Sequence, residues 1–600
     1  MNSRGSGPRR WIMPLPLREE SVAALARSVG LPEEVWRVLL RGGIDSSEVA
    51  RSVLRPHLSS VPSPFELPDM LAAVERVERA LAEHESILVH GDYDADGMSA
   101  AALLTLGLRE LGGRVEPFVP HRTRDGYDLS DAGIRRATEV GASLILTADC
   151  GVTATDAVSK AKEMGIDVVI TDHHRPGGEI PGAIAVVDPM LPTSRYPFRD
   201  LSGVGVAYKL LSALYERAGL EAPRLNQHLD LVALGTVADQ MPLTGENRIL
   251  VRAGLRALER TRKAGLRSLL ASAGLQADRR IEAEDISFRV APRLNSVGRM
   301  DEADAGLRLL LADELREAER LADHLERQNA ERRLTDSRVY EEARKQARSR
   351  LREGDQAVVL WGDDWHPGVL GIVASRLVES YHRPAVVISF DGDVGRGSGR
   401  STGGFHLFDA LRECEPLLER FGGHRMAAGL TVRRDRVEEL AERLKEMARR
   451  DLADREPAQE LRLDLEVRLE RLGDSLLRGL SHLAPFGSGN PTPILMVRNV
   501  TLDRPTRVGN DGAHLRFQLV GEGKRIPALA VGLRRRLSEA RYSDRADVAL
   551  EIAENSWNCR REVQARVLDF RPTESRAFGS FPGSSGDVVT RRPRGARPPR

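Results

Sequence analysis

Between residues 86 and 243, short apolar runs alternate with amphipathic segments, and this alternation predicts strands separated by helices. The runs are apolar over most of their length, as is typical of strands in a parallel sheet covered on both faces. The candidate strands are Ser86–Val89, Val115–Val119, Ser143–Thr147, Asp167–Thr171, Ile184–Val187 and Leu231–Val237. Helical segments such as 130–140 and 154–164 lie between them, so the pattern predicts an α/β domain.

The pattern outside this region predicts further units. Residues 313–351 contain neither Gly nor Pro and predict one helix of about 50–60 Å, mostly polar, that joins two α/β lobes. Short β-like runs separated by turn residues predict a C-terminal OB-like β-barrel. The predicted units are a helical cover (1–85), a first α/β lobe (86–312), the connecting helix (313–351), a second α/β lobe (352–455), the barrel (456–570) and a disordered basic tail (571–600).

Length and composition support this division and limit the partners. A chain of 600 residues is too long for one hydrophobic core. Its net charge is +1, so any site for a polyanion must be local. The three cysteines, Cys150, Cys414 and Cys559, are far apart, which argues against a disulfide framework and favours the reducing cytoplasm. No apolar run is long enough to predict a membrane span.

The segment 90–97, His-Gly-Asp-Tyr-Asp-Ala-Asp-Gly, follows the first predicted strand and precedes a helix. So many carboxylates at a strand end are unfavourable unless a cation neutralises them, so we predict a metal site. A role for Asp96 as a helix cap explains only one of the acids. The spacing also matches the start of an EF-hand loop, but that loop requires Glu at its twelfth position, which is Leu103 here.

Acids and imidazoles also follow later strands. Asp149 follows one strand, Asp172, His173 and His174 follow the next, and Asp239 follows the last apolar run. Ligands of open α/β sheets bind outside the carboxyl ends of the strands, so we expect these side chains to meet the acidic loop at one edge.

Two segments combine arginine with small polar residues. The segment 293–299 contains Arg293, Asn295 and Arg299, and the segment 395–401 alternates glycine with Arg396, Ser398 and Arg400 before Ser401. A solvated turn or a flexible loop would explain each segment, but guanidinium groups beside backbone amides favour phosphate recognition.

The motif Asp172-His173-His174, with the upstream acidic loop, resembles the DHH phosphoesterase superfamily. Further segments resemble its RecJ branch, whose members are single-strand-specific DNA exonucleases that work from the 5′ end. The RecJ-like segments are 201–207 (LSGVGVA), 234–239 (LGTVAD), 293–300 (RLNSVGRM), 365–371 (WHPGVLG) and 422–424 (GGH). Val297 stands where a small residue such as Ala is expected.

The resemblance implies a set of catalytic and ligand residues. The metal ligands that it implies are Asp94, Asp96, Asp149, His173 and Asp239, with His90 as a further candidate. His174 is added to the catalytic set, and His174 and Asp172 would orient the ligands. Asp92 would only stabilise the loop. The substrate-binding candidates are Arg293, Asn295, Ser296, Arg299, Arg396, Ser398, Arg400, Ser401 and His424.

The resemblance also implies a function. Two divalent ions, Mn²⁺ or Mg²⁺, would promote hydrolysis of a phosphodiester, and single-stranded DNA would be released as 5′-mononucleotides during DNA repair and recombination. The second lobe would grip the substrate as a DHH-associated domain. The barrel would bind the strand by basic groups and by the stacking candidates Phe486, Phe517 and Trp557, although each of these fits a barrel core as well. A single-strand-binding protein and a helicase are possible partners.

Two alternatives remain. A DHH phosphodiesterase for short oligonucleotides or cyclic dinucleotides is one, although such relatives usually end after the second lobe; the same argument applies to a pyrophosphatase. The other is a non-catalytic DNA-binding subunit, like the replication-helicase relatives of RecJ, which would be expected to lack several ligands.

Overall fold

The structure, a computed structural model, describes most of the chain. The predicted tail lies almost wholly outside the described residues, so its disorder stays a prediction. Within the described part, no helix combines the length and the apolar character that a bilayer crossing requires. The described ranges are 9–17, 22, 30–121, 124–126, 128–275, 279–300, 303–453, 460–509, 512–557 and 560–573.

The N-terminal residues are shared between two parts of the molecule. Strand β1 (Arg10–Ile12) pairs in parallel with residues 460–462 of the C-terminal region. Helices α1 (Glu33–Arg41) and α2 (Ser47–Leu54) pack against the core of the C-terminal barrel, whereas α3 (Met70–Ala82) packs against the first lobe. The described part of the predicted cover is therefore mostly helical, with one short strand, and it packs against two different units.

The first lobe is built on a parallel sheet, as the apolar runs predicted. Its strands are β2 (Ser86–Gly91), β3 (Arg114–Phe118), β4 (Ala142–Ala148), β5 (Asp167–Thr171) and β6 (Ala185–Val187). They lie in the order β3-β2-β4-β5-β6, so the direction of winding changes at β2. The crevice at such a switch point is where open α/β sheets bind ligands.

Helices cover this sheet and complete the first lobe. They are α4 (Ala95–Glu110), α5 (Asp131–Glu139), α6 (Thr155–Glu163), α7 (Gly203–Arg217), α8 (Ala222–Asn226), α9 (Leu229–Ala238), α10 (Gly245–Glu259), α11 (Ala264–Ser272), α12 (Ala283–Asp285), α13 (Ala291–Met300) and α14 (Ala303–Leu311). A π-helical segment, Ile286–Val290, leads into α13.

The predicted strand Leu231–Val237 is wrong, because these residues lie in α9, which is buried on all sides. A helix without a polar face shows no helical period, so its sequence reads like a buried strand.

Helix α15 (Leu315–Arg350) joins the lobes as one continuous helix of 36 residues, as predicted. The second lobe has a mixed sheet in the order β10-β11-β9-β8-β7, in which only the β7–β8 pair is parallel. Its elements are β7 (Val358–Asp363), α16 (Leu370–Tyr381), β8 (Ala385–Asp391), β9 (Val394–Arg400), α17 (Leu407–Glu413), β10 (Leu418–Gly423), β11 (Ala427–Arg433) and α18 (Val437–Leu452). A short 3₁₀ helix, Pro367–Val369, precedes α16 and contacts α13 of the first lobe.

The C-terminal unit is a closed barrel, because β14 pairs with both β15 and β17. Its elements are β12 (Glu460–Arg462), β13 (Leu465–Glu466), α19 (Asp474–Ser481), β14 (Leu495–Val508), β15 (His514–Gly521), β16 (Lys524–Ala530), α20 (Leu537–Tyr542), β17 (Ala546–Trp557) and β18 (Arg560–Pro572). Phe517 is buried in the barrel core against Phe570, and Phe486 is partly buried against the same core. Both therefore fit the core role rather than base stacking; the Trp557 side chain lies outside the described part.

The barrel is fastened to the first lobe close to the end of α9. The amide of Leu243 donates to the carbonyl of Ser488 at 2.7 Å. The buried guanidinium of Arg248 donates to the carbonyls of Val53, His482 and Leu483, and so joins α10 to the ends of α2 and α19. Carbonyls at the end of a helix have no partner within the helix, so a cation suits this position.

Candidate metal centre

The acidic loop connects β2 to α4, and its shape is set by hydrogen bonds and by glycine. Asp94 is the N-cap of α4, and its Oδ1 accepts hydrogen bonds from the amides of Asp96 (2.8 Å) and Gly97 (3.0 Å). A Cβ atom at position 97 would lie 2.6 Å from the backbone of Asp92, so only glycine allows this tight turn.

Asp96 points away from its own helix and lies at the N-terminus of α7. Its two carboxylate oxygens accept hydrogen bonds from the amides of Gly203 (2.8 Å) and Val204 (3.0 Å). A Cβ atom at Gly235 would lie 2.4 Å from Asp96 Oδ1, so α9 can approach only with glycine there. The carboxylate of Asp96 is thus held by the first amides of α7, while the backbone of α9 packs closely against it.

Asp149 follows β4 with a positive φ of 68°, which turns its side chain towards the same edge. Its Oδ1 lies 3.0 Å from Nε2 of His173, and no described hydrogen-bond donor is directed at it. A Cβ atom at Gly203 would lie 2.3 Å from the same oxygen. The glycines of the 201–207 and 234–239 segments therefore make room for Asp149 and Asp96.

Asp172 organises the turn that carries the two histidines. Its Oδ1 accepts hydrogen bonds from the His173 amide (2.7 Å), the His174 amide (3.1 Å) and His174 Nδ1 (2.8 Å). Its Oδ2 accepts the Val152 amide at 2.9 Å. His173 is buried and its Nε2 lies 3.7 Å from Asp239 Oδ2, while the His174 side chain is 40% exposed. Asp172 therefore holds the turn that carries both histidines and orients the imidazole of the accessible His174.

The candidate ligand atoms meet at this edge in three overlapping groups, and the atoms within each group lie within 4.8 Å of one another. All five carboxylate and imidazole ligands that the resemblance implied belong to at least one group. Asp92, which the sequence assigned only to loop stability, also belongs to one. The groups are Asp149–His173–His174, Asp96–His173–Asp239 and Asp92–Asp94–Asp149.

The acids of this cluster lie close to one another and alter one another's pKa values. Burial, and then the neighbouring carboxylates, raises the pKa of Asp96 and of Asp239 to about 7 and that of Asp149 well above its ordinary value. Burial lowers the pKa of His173. Burial also disfavours His174 in its charged form, but the hydrogen bond and charge of Asp172 raise its pKa to about 9. Neighbouring buried acids repel one another when they are ionised, and a divalent cation bound between them would remove this repulsion.

His90 is not a member of these groups, which argues against its assignment as a ligand. Its ring is fully buried in β2, 5.3 Å from the Phe118 ring, and its Nδ1 lies 3.6 Å from the sulfur of Cys150. A Cβ atom at Gly133 of α5 would lie 2.4 Å from the ring. The side chain therefore points from the strand towards α5, and burial lowers its pKa to about 4.

The segment 293–299 is part of helix α13 and not a turn. Arg293 is an internal contact: it pairs with Glu326 at 2.6 Å and donates to backbone carbonyls, including that of Ser272. The hydroxyl of Ser296 is buried and donates to the carbonyl of Arg293. Both side chains are thus engaged within the protein, which argues against their assignment to substrate binding. The Arg299 side chain lies outside the described part.

The segment 395–401 forms β9, and its alternation has a simple geometric origin. The glycines at 395, 397 and 399 face the core, where Cβ atoms would lie 2.6–2.8 Å from side chains such as Ile388 and Leu407. Arg396, Ser398 and Arg400 alternate with them, on the other face. A Cβ atom at Gly371 would lie 2.9 Å from Arg400 and 3.2 Å from Ser398, so these side chains lie at the N-terminus of α16.

Two other candidates of the second lobe lie near this strand. Ser401 is buried, and its hydroxyl donates to the carbonyl of Phe405 at 2.8 Å, so its polar group has an internal partner. His424 is exposed in the connection between β10 and β11. Of the second-lobe candidates, Arg396 and His424 are exposed, whereas Arg400 donates hydrogen bonds to the Ser398 hydroxyl at 3.1 Å and to the carbonyl of Gly399 at 2.8 Å.

The chain matches three family models and many known proteins. The models are the DHH family N-terminal domain (residues 86–236), the DHHA1 domain (354–450) and the RecJ OB domain (463–569). The single-stranded-DNA-specific exonuclease RecJ of Bacillus subtilis (strain 168) is 36% identical over 573 residues, which cover 95% of this chain and 72% of that protein. The protein of the same name from Thermus thermophilus is 35% identical, over 88% of this chain and 74% of its own.

Solved structures give the same result. The crystal structure of RecJ in complex with Mn²⁺ from Thermus thermophilus matches with a TM-score of 0.79 and 32% identity, covering 96% of this chain and 81% of that chain. The corresponding structure in complex with Mg²⁺ has a TM-score of 0.74 and 30% identity, covering 94% and 79%. The chain therefore belongs to the RecJ family of single-stranded-DNA-specific exonucleases.

Proposed function

We propose that this protein is a metal-dependent exonuclease that degrades single-stranded DNA from the 5′ end to 5′-mononucleotides, in DNA repair and recombination. The proposal rests on one observation: several acids and His173 lie close together at the switch point of the parallel sheet. The chain that carries them belongs to the RecJ family. Two-metal hydrolysis of a phosphodiester uses such a cluster, because the cations that the acids bind would place positive charge at the scissile phosphate.

The residues of the cluster fit divalent cations. Asp149 offers a buried oxygen with no described hydrogen-bond donor, and the mixed carboxylate and imidazole donors suit Mn²⁺ and also admit Mg²⁺. We assign two ions to Asp92, Asp94, Asp96, Asp149, His173 and Asp239. When bound, the ions supply Lewis-acid chemistry that stabilises charge on the phosphate and lowers the pKa of water.

The protein's own groups prepare this chemistry. Asp172 orients the His174 imidazole through Nδ1 and accepts the backbone amide of His173. In the metal-free fold, its hydrogen bond and charge raise the pKa of the accessible His174 to about 9. A protonated imidazole at the cleft can donate a hydrogen bond to a phosphate oxygen and so orient the diester. The amides of α7 hold the Asp96 carboxylate, so that this ligand is oriented before a cation arrives.

The second lobe supplies a phosphate grip. Arg400 and Ser398 lie at the N-terminus of α16, where helix amides and the helix dipole also favour an anion. The 3₁₀ helix before α16 contacts α13, which in turn contacts the acidic loop, so this grip adjoins the metal cluster. Binding of a terminal phosphate there would set the direction of digestion.

The presence of the C-terminal barrel favours a long single strand, and not a short oligonucleotide, as the substrate. OB barrels bind single strands through a basic groove and stacking side chains. This barrel is joined to the first lobe beside α9, whose C-terminal residue Asp239 belongs to the metal cluster. We also propose a cytoplasmic location and transient partners, a single-strand-binding protein and a helicase, which would generate or protect the substrate.

The proposal is tested by following 5′-labelled and 3′-labelled single strands with the full-length protein and Mn²⁺. Early release of the 5′ label as a mononucleotide, its absence on blunt duplex and its loss in Asp149→Ala would support the proposal. Cleavage of only very short oligonucleotides would instead identify a small-substrate phosphodiesterase. Strand binding without hydrolysis would identify a non-catalytic subunit.

A further inference from the structure

Helix α13 makes a specific contact with the loop that carries the candidate metal ligands. Oδ1 of Asn295 accepts a hydrogen bond from the amide of Ala95 at 2.8 Å. One turn later in the same helix, a Cβ atom at Gly298 would lie 2.6 Å from the carbonyl oxygen of Tyr93. Residues three apart share one face of a helix, so this face of α13 fits against the acidic loop.

The orientation of the Asn295 amide follows from chemistry alone. A backbone N–H can only donate, so the side chain must present its oxygen to Ala95. Ala95 is 1% exposed, and water is therefore a poor substitute for this acceptor. Without Asn295, the Ala95 amide would be a buried donor without a partner, which is strongly unfavourable.

Three successive amides at the start of α4 need acceptors, as at every helix N-terminus. Oδ1 of Asp94 accepts two of them, from Asp96 and Gly97, and Asn295 accepts the third, from Ala95. Among the described residues, no donor is directed at Oδ2 of Asp94. The division of the three amides between two side chains leaves this second oxygen for another use.

We propose that Asn295 is a positioning residue of the metal centre: by accepting the Ala95 amide, it keeps one carboxylate oxygen of Asp94 available to a divalent cation. The inference rests on the proposed function, because it assumes that Asp94 binds such a cation. It replaces the expected role of Asn295 in substrate binding with a role in the geometry of the ligand loop.

Asparagine suits this task better than either obvious replacement. Leucine has a similar size but no acceptor, so the Ala95 amide would compete for the carboxylate of Asp94. Aspartate would keep the acceptor and is a good helix cap, but it would add a negative charge to a cluster that already contains several acids. A neutral acceptor is therefore the group that caps the helix without further repulsion.

The test compares Asn295→Leu and Asn295→Asp in the full-length protein. Mn²⁺ binding is measured by calorimetry without DNA, and kcat and KM are measured on a 5′-phosphorylated strand. We expect Asn295→Leu to weaken Mn²⁺ binding by about tenfold or more, as is usual when a residue behind a metal ligand is lost. Asn295→Asp should stay within about threefold of the wild-type dissociation constant, because the acceptor is retained.

Two further measurements separate positioning from other roles. Saturating Mn²⁺ should restore kcat of Asn295→Leu to near the wild-type value, with KM for DNA unchanged, since the cation itself then holds Asp94. The matched control is Asn226→Leu, which removes one side-chain hydrogen bond, from the Tyr208 hydroxyl at 3.0 Å, in another part of the same lobe. This control should bind Mn²⁺ as the wild type does.

The inference fails if Asn295→Leu binds Mn²⁺ normally, if Asn295→Asp loses as much affinity as Asn295→Leu, or if Asn226→Leu loses it too. A higher KM for DNA with normal Mn²⁺ affinity would likewise overturn it and indicate a substrate contact instead. Failure of the proposed function would look different, because the wild-type protein itself would then bind no Mn²⁺ or cut no DNA.

Discussion

Two of the groups of buried charge in the first lobe differ in the signs of the charges that face one another. In the first, Lys209 pairs with Glu246 at 3.1 Å, and the hydroxyl of Tyr196 donates to the other oxygen of Glu246 at 2.7 Å. Lys209 also donates to the carbonyl of Pro62. In the second, the acid cluster, several carboxylates and histidines face one another within 4.8 Å in each group.

The comparison shows how a structural ion pair differs from a site prepared for a ligand. Burial lowers the pKa of Lys209 and raises that of Glu246, but the attraction between them opposes both shifts. In the acid cluster, repulsion adds to burial, and the pKa of both Asp96 and Asp239 rises to about 7. A cation from solution would stabilise the ionised acids of the cluster, as the charge of Lys209 stabilises the ionised Glu246.

The largest effect is expected from removal of a central acid. Asp149→Asn should lower kcat/KM on single-stranded DNA by about a thousandfold or more, because several kcal/mol of transition-state stabilisation depend on the bound ions. The same change should raise the melting temperature in EDTA, since it removes one of the repelling carboxylates. Kinetics measures kcat/KM, and scanning calorimetry measures the melting temperature in EDTA. A variant that keeps its activity and its melting temperature would show that Asp149 is not part of a group of repelling acids that binds a cation.

A smaller effect, on stability instead of activity, is expected in the cluster of Lys209 and Glu246. Lys209→Met leaves Glu246 buried without its cation, and should lower the free energy of unfolding by about 3–5 kcal/mol. The double variant with Glu246→Leu should recover most of this loss in urea unfolding. Mn²⁺ affinity should be unchanged in both; a loss of affinity would mean that the two clusters are not independent.

A more modest effect is expected at the phosphate grip. Arg400→Ala should raise KM for a 5′-phosphorylated strand by about tenfold while kcat changes little, because a hydrogen bond to a charged group contributes about 1.5–3 kcal/mol. Ser401→Ala is the matched control on the same strand end, since its hydroxyl bonds internally to Phe405. Equal changes of KM in the two variants would argue against a grip at Arg400.

The smallest effect concerns pH. The pKa values of Asp96 and Asp239 are raised in the metal-free fold, so the folded protein binds more protons than the unfolded chain between about pH 4 and 7. Stability without metal should therefore fall as pH rises through this window. Mn²⁺ displaces these protons, so its stabilising effect should be greater at pH 8 than at pH 5.5 in melting experiments. A stabilisation independent of pH would contradict the raised pKa values.

Much of the fold could be predicted from the order of apolar runs. The strands of the first sheet, the long connecting helix and the barrel are confirmed, because apolar runs, the absence of Gly and Pro, and turn residues between short strands are all visible in the sequence. The run Leu231–Val237 was misassigned because α9 is surrounded by protein and has no polar face. The domain boundaries stay predictions.

The candidate site was predicted only in part. The convergence of the carboxylates and His173 was predicted because each follows an apolar run, and the edge of a parallel sheet collects such positions. Their role as ligands stays a prediction. The sequence favoured His90 over Asp92 as a ligand, whereas in the structure His90 is still inside β2, where its side chain faces α5, and Asp92 lies in the loop. The internal roles of Arg293, Ser296 and Ser401 were missed, since composition does not show which neighbours a polar group meets.

The sequence by itself determined which residues could form elements and which chemistry they could carry, because helix and strand periods and the identities of donor groups are local properties. Tertiary structure decided which donors share a site and which are used up internally, as with Asn295, whose partner Ala95 is 200 residues away. The physical reason is that metal binding and burial depend on distances between atoms. Those distances are set by the packing of elements that are far apart in the chain.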